Sequence, residues 1–299
     1  MKKILAVLTI FLALVSCSSE YYVYSSFHEP ATDGLRYLYS KDGLHWDSIP
    51  GIWLRPEVGK QKVLRDPSIQ QTPDGMYHLV WTSSWRGDRG FGYASSTDLR
   101  HWSKEHFIEV MSDTATVNVW APELFYDESH KDMMIFWASC IPHKFNRGTE
   151  EEDNNHRLYY TTTRDFVHFT PTKLLFDPGF SCIDAMIVKL GEKRYVMVLK
   201  DNTRSNRNLK VAFATCPQGP WSPASQSFSE EFVEGPAVAK VKNGYIIYAD
   251  RYRKHDFAAY FTRDFTHFKE ISDKTSIPEG HKHGTIFMAS KRIVKGLLK

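Results

Sequence analysis

Short apolar runs recur along the whole chain, and each is followed by a second strand-like stretch. The runs have the length of β-strands, and turn-forming pairs such as Asp74-Gly75 and Asn243-Gly244 precede them. The stretches that follow the runs occupy residues 35–40, 90–96, 157–163, 209–215 and 257–262. No segment of the sequence shows a convincing helical periodicity. The pattern therefore predicts an all-β protein.

A seven-residue motif ends each of these stretches and shows that they belong to a repeat. Residues 40–46 (Ser-Lys-Asp-Gly-Leu-His-Trp) are the first copy. Clear copies follow at 96–102, 163–169 and 262–268, and a degenerate copy lies at 215–221. The final aromatic residues are 56, 67, 52 and 47 positions apart. Five units of this size, each with three or four strands, predict a five-bladed β-propeller.

The two ends of the chain are expected to close the ring. The first unit begins with the run Tyr21–Ser26 and lacks a strand before it, whereas His281–Ala289 resembles an inner strand with no partner after it. Pairing these two segments would complete one blade and remove two exposed sheet edges. We therefore expect one propeller domain over residues 21–290.

The repeated motif has two interpretations. It could mark five sugar-binding sites, or it could be a turn in which the Asp bonds its own backbone while the aromatic residue packs between blades. One copy in every unit is typical of a structural repeat, so we favour the second interpretation.

The N-terminus carries a targeting signal. Lys2 and Lys3 precede the apolar run Ile4–Val15, which is too short for a stable membrane-spanning helix. Residues 14–17 (Leu-Val-Ser-Cys) resemble a lipobox, so residues 1–17 are interpreted as a lipoprotein signal with Cys17 as the lipidated residue. An ordinary signal peptide with a chance cysteine is the alternative. The expected location is the bacterial cell envelope. Ser18 and Ser19 after the cysteine resemble the corresponding residues of known outer-membrane lipoproteins, so the outer membrane is expected, and either of its two faces remains open.

Composition narrows the choice of partner. The net charge is +3 and no block of Lys or Arg occurs, which argues against nucleic acid. Aromatic residues make up 14% of the chain, and flat sugar faces stack on such rings. Apart from Cys17 the cysteines number three, so no disulfide framework is implied. We expect a monomer that contacts a membrane only through its lipid.

Four acidic residues occupy similar places in the repeat. Asp66, Asp184 and Glu234 each precede an apolar run by eleven residues, and Glu123 precedes one by twelve. In a propeller, residues at the starts of inner strands surround one mouth of the channel, so these acids should converge with His283. Two carboxyl groups astride a glycosidic bond can hydrolyse it, one as an acid and one as a base. Crowding raises one pKa and makes that division possible near neutral pH.

The residues around these acids resemble glycoside hydrolase family 43, a family of five-bladed propellers. The resemblance rests on Arg-Asp-Pro-Ser-Ile at 65–69, Trp-Ala-Pro-Glu-Leu at 120–124, Ile-Asp-Ala-Met-Ile at 183–187 and Glu-Gly-Pro-Ala at 234–237. It implies an inverting glycosidase with Asp66 as general base, Glu234 as general acid and Asp184 as modulator of the pKa. Ala185 stands where the family commonly has Pro, and Asp66 lies further from the mature N-terminus than is usual there.

Five further residues are candidates for substrate binding. They are Trp85, Trp120, Glu123, Arg251 and His283. By the same resemblance His283 could bind a structural calcium ion in the central channel, the alternative being a hydrogen-bonded structural role. No other cofactor is required.

Several functions remain open at this point. The resemblance favours an exo-acting α-L-arabinofuranosidase or β-xylosidase for plant-type polysaccharide or oligosaccharide. A β-galactosidase, galactofuranosidase or exo-galactanase of the same fold is an alternative, and so is a membrane-tethered propeller that binds carbohydrate without catalysis. A retaining, fructan-active relative is disfavoured because the chain is too short for the second domain of such enzymes.

Overall fold

Five antiparallel sheets surround a central channel in the computed structural model, which describes residues 20–299. Cys17 and the predicted signal, residues 1–17, lie outside the described residues. The strands, in chain order, are β1 (Glu20–Ser26), β2 (Arg36–Ser40), β3 (Trp46–Ile49), β4 (Arg65–Gln71), β5 (Tyr77–Thr82), β6 (Gly90–Ser96), β7 (His106–Glu109), β8 (Trp120–Asp127), β9 (Asp132–Cys140), β10 (His156–Thr163), β11 (Lys173–Phe176), β12 (Cys182–Gly191), β13 (Arg194–Asp201), β14 (Asn208–Ala214), β15 (Glu234–Val241), β16 (Gly244–Arg251), β17 (Asp256–Thr262), β18 (Phe268–Glu270) and β19 (Ile286–Ser290).

These sheets are the five blades of the predicted propeller. Their strand orders are β19-β1-β2-β3, β4-β5-β6-β7, β8-β9-β10-β11, β12-β13-β14 and β15-β16-β17-β18. Each unit of sequence therefore forms one blade, and neighbouring blades bury apolar faces against each other. The predicted all-β, five-bladed fold is confirmed.

The ring closes as the sequence predicts. Strand β19 pairs antiparallel with β1, with Tyr24 opposite Ile286 and Tyr22 opposite Met288. The predicted inner strand began at His281, but regular pairing begins only at Ile286, and residues 281–285 lead into it across the mouth of the channel.

The fourth blade and the C-terminus depart from the simple repeat. Blade four has three strands, and it is the blade whose motif copy, residues 215–221, is degenerate. The segment after that copy donates the amides of Ser222, Ser225 and Phe228 to β14 but forms no regular fourth strand. Helix α1 (Lys291–Leu297) was not predicted, because its seven residues contain too few apolar positions to show a period. Ser290 caps it, and Val294 and Leu297 pack against blades one and two. Among residues 20–299 no helix is both long and apolar enough to cross a bilayer.

The repeated motif forms a turn, as expected. Asp42 accepts hydrogen bonds from the amides of Leu44 and His45 at 2.8 and 2.9 Å, and from Nδ1 of His45 at 2.8 Å. The same set recurs in the copies at Asp98, Asp165 and Asp264. Trp46 then packs between blades one and five, with its ring 5.8 Å from that of Tyr248.

The inner strands of blades two to five each contain a bulge near their start. The register shifts between Arg65 and Ser68, Trp120 and Glu123, Ile183 and Met186, and Glu234 and Ala237. The first bulged residue has a positive φ every time, namely 51° at Asp66, 46° at Ala121, 50° at Asp184 and 56° at Gly235. A bulge re-aims the side chains on either side of it, so these four positions decide what faces the mouth of the channel.

Candidate active site

The bulges explain why only three of the four acids meet. Asp66 and Asp184 are equivalent first residues of their bulges, and Glu234 stands one position before its own bulge. All three line one cavity of about 250 Å³ at the mouth of the channel.

Glu123 does not line this cavity, in contrast to the expectation from sequence. It lies two positions beyond the first bulged residue, Ala121, so its side chain is directed further along the channel. There it accepts hydrogen bonds from Thr285 Oγ1 at 3.0 Å and borders a second cavity with Gln70 and Lys240. Burial raises the pKa of Glu123 to about 8.

Asp66 is held as a carboxylate. Thr82 Oγ1 donates to its Oδ2 at 2.7 Å, and Nε2 of His283 lies 2.9 Å from its Oδ1. Burial alone would raise the pKa of Asp66, but the hydrogen bond and charge of His283, with help from Arg65, outweigh burial and lower it below the usual range. This side chain can therefore accept a proton at neutral pH.

Glu234 is paired with a buried lysine that sequence analysis did not single out. Nζ of Lys200 donates to Oε2 of Glu234 at 2.7 Å, and the lysine side chain is only 3% exposed. Burial would raise the pKa of Glu234, but the charges of Lys200 and His283 prevail and lower it. The pKa of Lys200 is raised, because Glu234 and Asp184 overcome its burial. In the free site Glu234 is therefore ionised.

Asp184 is the carboxyl that takes up a proton first as the pH falls. Burial raises its pKa to about 6, although the positive charges of Lys200 and His283 act in the opposite sense. Its Oδ2 accepts the amide of Gly235, the residue after Glu234, at 3.1 Å. Strand pairing also sets Lys200 opposite Ile183, the neighbour of Asp184. Below about pH 6 this group of two carboxyls and one ammonium therefore holds one proton, on Asp184 more than on Glu234.

His283 connects the acids across the channel. Its Nε2 reaches Asp66 at 2.9 Å and its Nδ1 reaches Asp250 at 3.4 Å. Burial opposes the charged ring, but these two carboxylates raise the pKa of His283 well above its usual value. Gly235 makes this packing possible, because a Cβ there would lie 2.0 Å from Cγ of the imidazole.

The donor set around His283 does not fit the calcium ion considered from the sequence. Single ligand atoms of Glu234, Asp250 and His283 lie within 4.8 Å of one another, as in a metal site. Both ring nitrogens of His283, however, donate to carboxylates, which leaves no lone pair for a metal. Lys200 and Lys282 already neutralise Glu234 and Asp250, at 2.7 and 3.2 Å.

The two expected tryptophans form one wall of the cavity, but Arg251 does not reach it. Trp85 is 46% exposed, and its backbone oxygen accepts from Nε1 of Trp120 at 2.8 Å. The rings are perpendicular, with centroids 5.7 Å apart. Arg251 is held outside by Asp256 at 2.7 Å and Glu230 at 3.3 Å.

Several polar groups in the cavity were missed from the sequence. They are Arg65, Thr82, Asn154, Lys200, Asn202, Arg207 and Tyr252. Thr82 and Lys200 share a signal that could have been used: each is a polar residue at the end of an apolar strand that follows a proposed acid. Asn154 and Arg207 come from loops and carry no such signal.

One protein-family model matches most of the chain. Residues 19–292 match the model of a probable glycosyl hydrolase domain related to glycoside hydrolase family 43. An α-L-arabinofuranosidase of Bifidobacterium longum is 26% identical over 155 residues, which is 44% of this chain and 14% of that protein. The aligned part therefore spans about a seventh of the length of that relative.

Solved structures share the fold. A thermostable family-43 glycoside hydrolase superposes with a TM-score of 0.62 at 14% identity, over 89% of this chain and 93% of the other. An α-L-arabinofuranosidase from Clostridium thermocellum superposes with a TM-score of 0.61 at 12% identity, over 87% and 93%. At these identities the likeness shows the fold alone.

Proposed function

The chain belongs to the family of probable glycosyl hydrolase domains related to glycoside hydrolase family 43, and we propose that it is an inverting, exo-acting glycosidase for plant-type glycans. The observation that carries the proposal is the meeting of Asp66, Asp184 and Glu234 around one cavity. Carbohydrate binding alone would need no such group of carboxyls. An α-L-arabinofuranosidase or a β-xylosidase is the activity we favour, supported by the arabinofuranosidase that the sequence matches.

In this proposal Asp66 is the general base. Its lowered pKa keeps it ionised, so it can take a proton from a water molecule that attacks the anomeric carbon. As the new C–O bond forms, the glycosidic C–O bond breaks and the leaving oxygen takes a proton from Glu234. Attack from the face opposite the leaving group inverts the anomeric configuration.

Asp184 and Lys200 determine how often Glu234 carries that proton. The free site favours a proton on Asp184 and an ammonium beside an ionised Glu234. The amide of Gly235, the residue after Glu234, donates to Oδ2 of Asp184, so the two carboxyls are neighbours in one cavity and the charge of each influences the protonation of the other. The fraction of molecules with Glu234 protonated then limits the rate, and it falls above about pH 6.

The loop between β9 and β10 supports exo action. Asp153 pairs at 2.9 Å with Arg86, the neighbour of Trp85, and Asn154 accepts from Asn202 at 3.0 Å. Glu150 accepts the amide of Arg204 at 2.7 Å, which fixes the loop to blade four. The loop thus closes one side of the cavity, as expected for a site that binds the end of a chain.

A panel of aryl glycosides tests the proposed activity. We expect the protein without residues 1–17 to hydrolyse the α-L-arabinofuranoside or the β-D-xyloside, whereas the β-D-galactoside and β-D-galactofuranoside test the alternatives. Asp66→Asn is the blank, since it keeps the size of the side chain and removes the base. Hydrolysis that survives in this variant would refute the role of Asp66.

The role of Glu234 has its own test. Glu234→Gln should abolish turnover of substrates with poor leaving groups, because the leaving oxygen is no longer protonated, and should harm an activated aryl glycoside less. Equal losses on both kinds of substrate would contradict the assignment.

We also propose a lipid anchor at Cys17 in the bacterial envelope, on the sequence of residues 14–17. The full-length chain should fractionate with membranes, and Cys17→Ser should release it. A variant that stays with the membranes would contradict lipidation at this residue.

A further inference from the structure

The cavity at the mouth of the channel is lined by more basic than acidic side chains. Four basic side chains line it, against three acidic ones; the basic ones are Arg65, Lys200, Arg207 and His283. Asp184 is the acid with the raised pKa, so one of the three negative charges is lost at about pH 6 and below. The balance of charge therefore favours an anion.

Three of the four cations already have carboxylate partners. Lys200 donates to Glu234 at 2.7 Å, and His283 bonds Asp66 at 2.9 Å. Arg65 is buried, pairs with Glu29, and lies with its guanidinium 4.0 Å from the ring centre of Trp85. These groups serve the proposed acids or the tryptophan wall.

Arg207 is different. Within residues 20–299 no carboxylate forms an ion pair with it, and the one side-chain hydrogen bond of its guanidinium is a long one to the Tyr252 hydroxyl, at 3.5 Å. The residue is half-buried and lines the cavity, so solvent reaches it from one side only. A partly desolvated guanidinium with five donors and one long bond is a ready partner for an anion.

The backbone holds Arg207 firmly in this place. Its carbonyl oxygen accepts the amides of Phe232 at 2.7 Å and Val233 at 3.3 Å, directly before Glu234, and its own amide donates to Thr203. The loop that carries Arg207 is therefore tied to the segment that leads into the proposed general acid. The amides of Asn154 and Asn202 line the same cavity and can bond sugar hydroxyls.

We propose that the substrate carries a carboxylate, as a uronic acid residue does, and that Arg207 binds it. A guanidinium matches a planar carboxylate with two parallel hydrogen bonds, which a neutral sugar cannot offer. This inference rests on the proposed function only in taking the cavity as the substrate site; it adds an acidic sugar residue to the pentose-containing glycan that the enzyme is proposed to cleave.

Binding of free monosaccharides tests this without requiring catalysis. We would titrate the protein lacking residues 1–17 with D-glucuronate and D-galacturonate, and with D-glucose and D-galactose as the neutral counterparts, at constant ionic strength. Free sugars present both anomers, so the unknown linkage does not matter. Acetate serves as the control for a carboxylate without a sugar ring.

The variants are Arg207→Met, Arg207→Lys and, as the matched control, Arg253→Met. Arg253 is an exposed arginine that lies over the Phe232 ring at 3.4 Å and does not line the cavity. We expect at least one uronate to bind about 10- to 100-fold more tightly than its neutral counterpart, the range for a hydrogen bond to a charged group. Arg207→Met should remove that preference, Arg207→Lys should keep a part of it, and Arg253→Met should leave it unchanged.

Two results would overturn the inference. One is equal binding of uronates and neutral sugars by the wild-type protein; the other is a uronate preference that Arg207→Met leaves intact. If the uronate preference is found but no aryl glycoside or aryl uronide is hydrolysed, the proposed function fails and the inference stands. If neutral glycosides are hydrolysed and uronates are not preferred, the proposed function stands and the inference fails.

Discussion

Replacement of Lys200 by methionine gives the sharpest test of how the site controls its proton. The ammonium lies 2.7 Å from Glu234 Oε2, and both side chains are largely buried, at 3% and 22% exposure. An opposite charge at this range lowers the pKa of a carboxyl by roughly 1–3 units. Loss of the charge should therefore raise the pKa of Glu234 by that amount and shift the shared proton from Asp184 toward Glu234.

The expected result is a displaced pH profile. A general acid must be protonated to act, so the basic limb of kcat/KM follows the pKa of the proton-sharing pair. In the wild type we expect this limb near pH 6, the value for Asp184. In Lys200→Met it should move upward by about 1–3 pH units. The assay is the rate on a substrate with a poor leaving group and the sugar that the panel identifies, measured across the acid and alkaline range on both sides of this limb.

A matched control and a second readout keep this prediction independent of folding and of substrate. Lys210→Met removes a neighbouring lysine from β14 that pairs with Asp201 at 2.9 Å outside the cavity, and it should leave the profile unchanged. The carboxyl ¹³C shift of Glu234, followed by NMR, reports its titration directly. A basic limb and a Glu234 titration that stay in place, or move to lower pH, would refute the reasoning.

The remaining predictions concern stability and metal. Asp184→Asn should abolish activity yet stabilise the fold at pH 8, by up to about 3 kcal/mol for two pKa units, with no gain at pH 4. The reason is that the raised pKa of Asp184 makes wild-type stability fall as the pH rises from 3.8 through about 6. Thermal unfolding at both pH values checks this. Glu123→Gln should leave KM unchanged, because Glu123 lies outside the proposed substrate cavity, and a large rise in KM would place it back in the substrate site. The same variant should stabilise the fold above pH 8, because the wild-type protein loses stability as the pH rises toward the raised pKa of Glu123. Gly235→Ala should destabilise the fold by roughly 1–3 kcal/mol or more, because the new Cβ would clash with His283. Gly75 has a positive φ of 90° but open space around it, so Gly75→Ala should destabilise the fold less. Equal losses of unfolding free energy in chemical denaturation would contradict the clash. Dialysis against a chelator should leave activity intact. A loss of activity that added calcium reverses would show that His283 does accept a metal.

Most of the fold could be predicted because every blade repeats the same local chemistry. The stretch predicted at 90–96 is β6 without a change of bounds, and the closing pair β1–β19 followed from an unpaired segment at each end. Helix α1 could not be predicted, because its short length hides any period and its burial depends on contact with blades one and two.

The sequence could predict only those residues of the site that a regular spacing from an apolar strand marks. Asp66 and Asp184 have the same spacing and the same bulge position, so they were found together. Glu123 was misplaced because a bulge does not show in the spacing of acids, although it changes the direction of each side chain. Lys200 was missed because its partner Glu234 lies in a different blade. Arg207 was missed because it lies in a loop, and its position at the cavity does not show in the sequence.

The measurement that tests the central claim most directly is a ¹H NMR time course of hydrolysis by the wild-type protein and by Asp66→Asn. With the aryl glycoside that the panel identifies, the wild-type protein should first release the anomer opposite to that of the substrate, and the variant should release no product. Release of the retained anomer, or undiminished hydrolysis by Asp66→Asn, would contradict an inverting mechanism with Asp66 as its base.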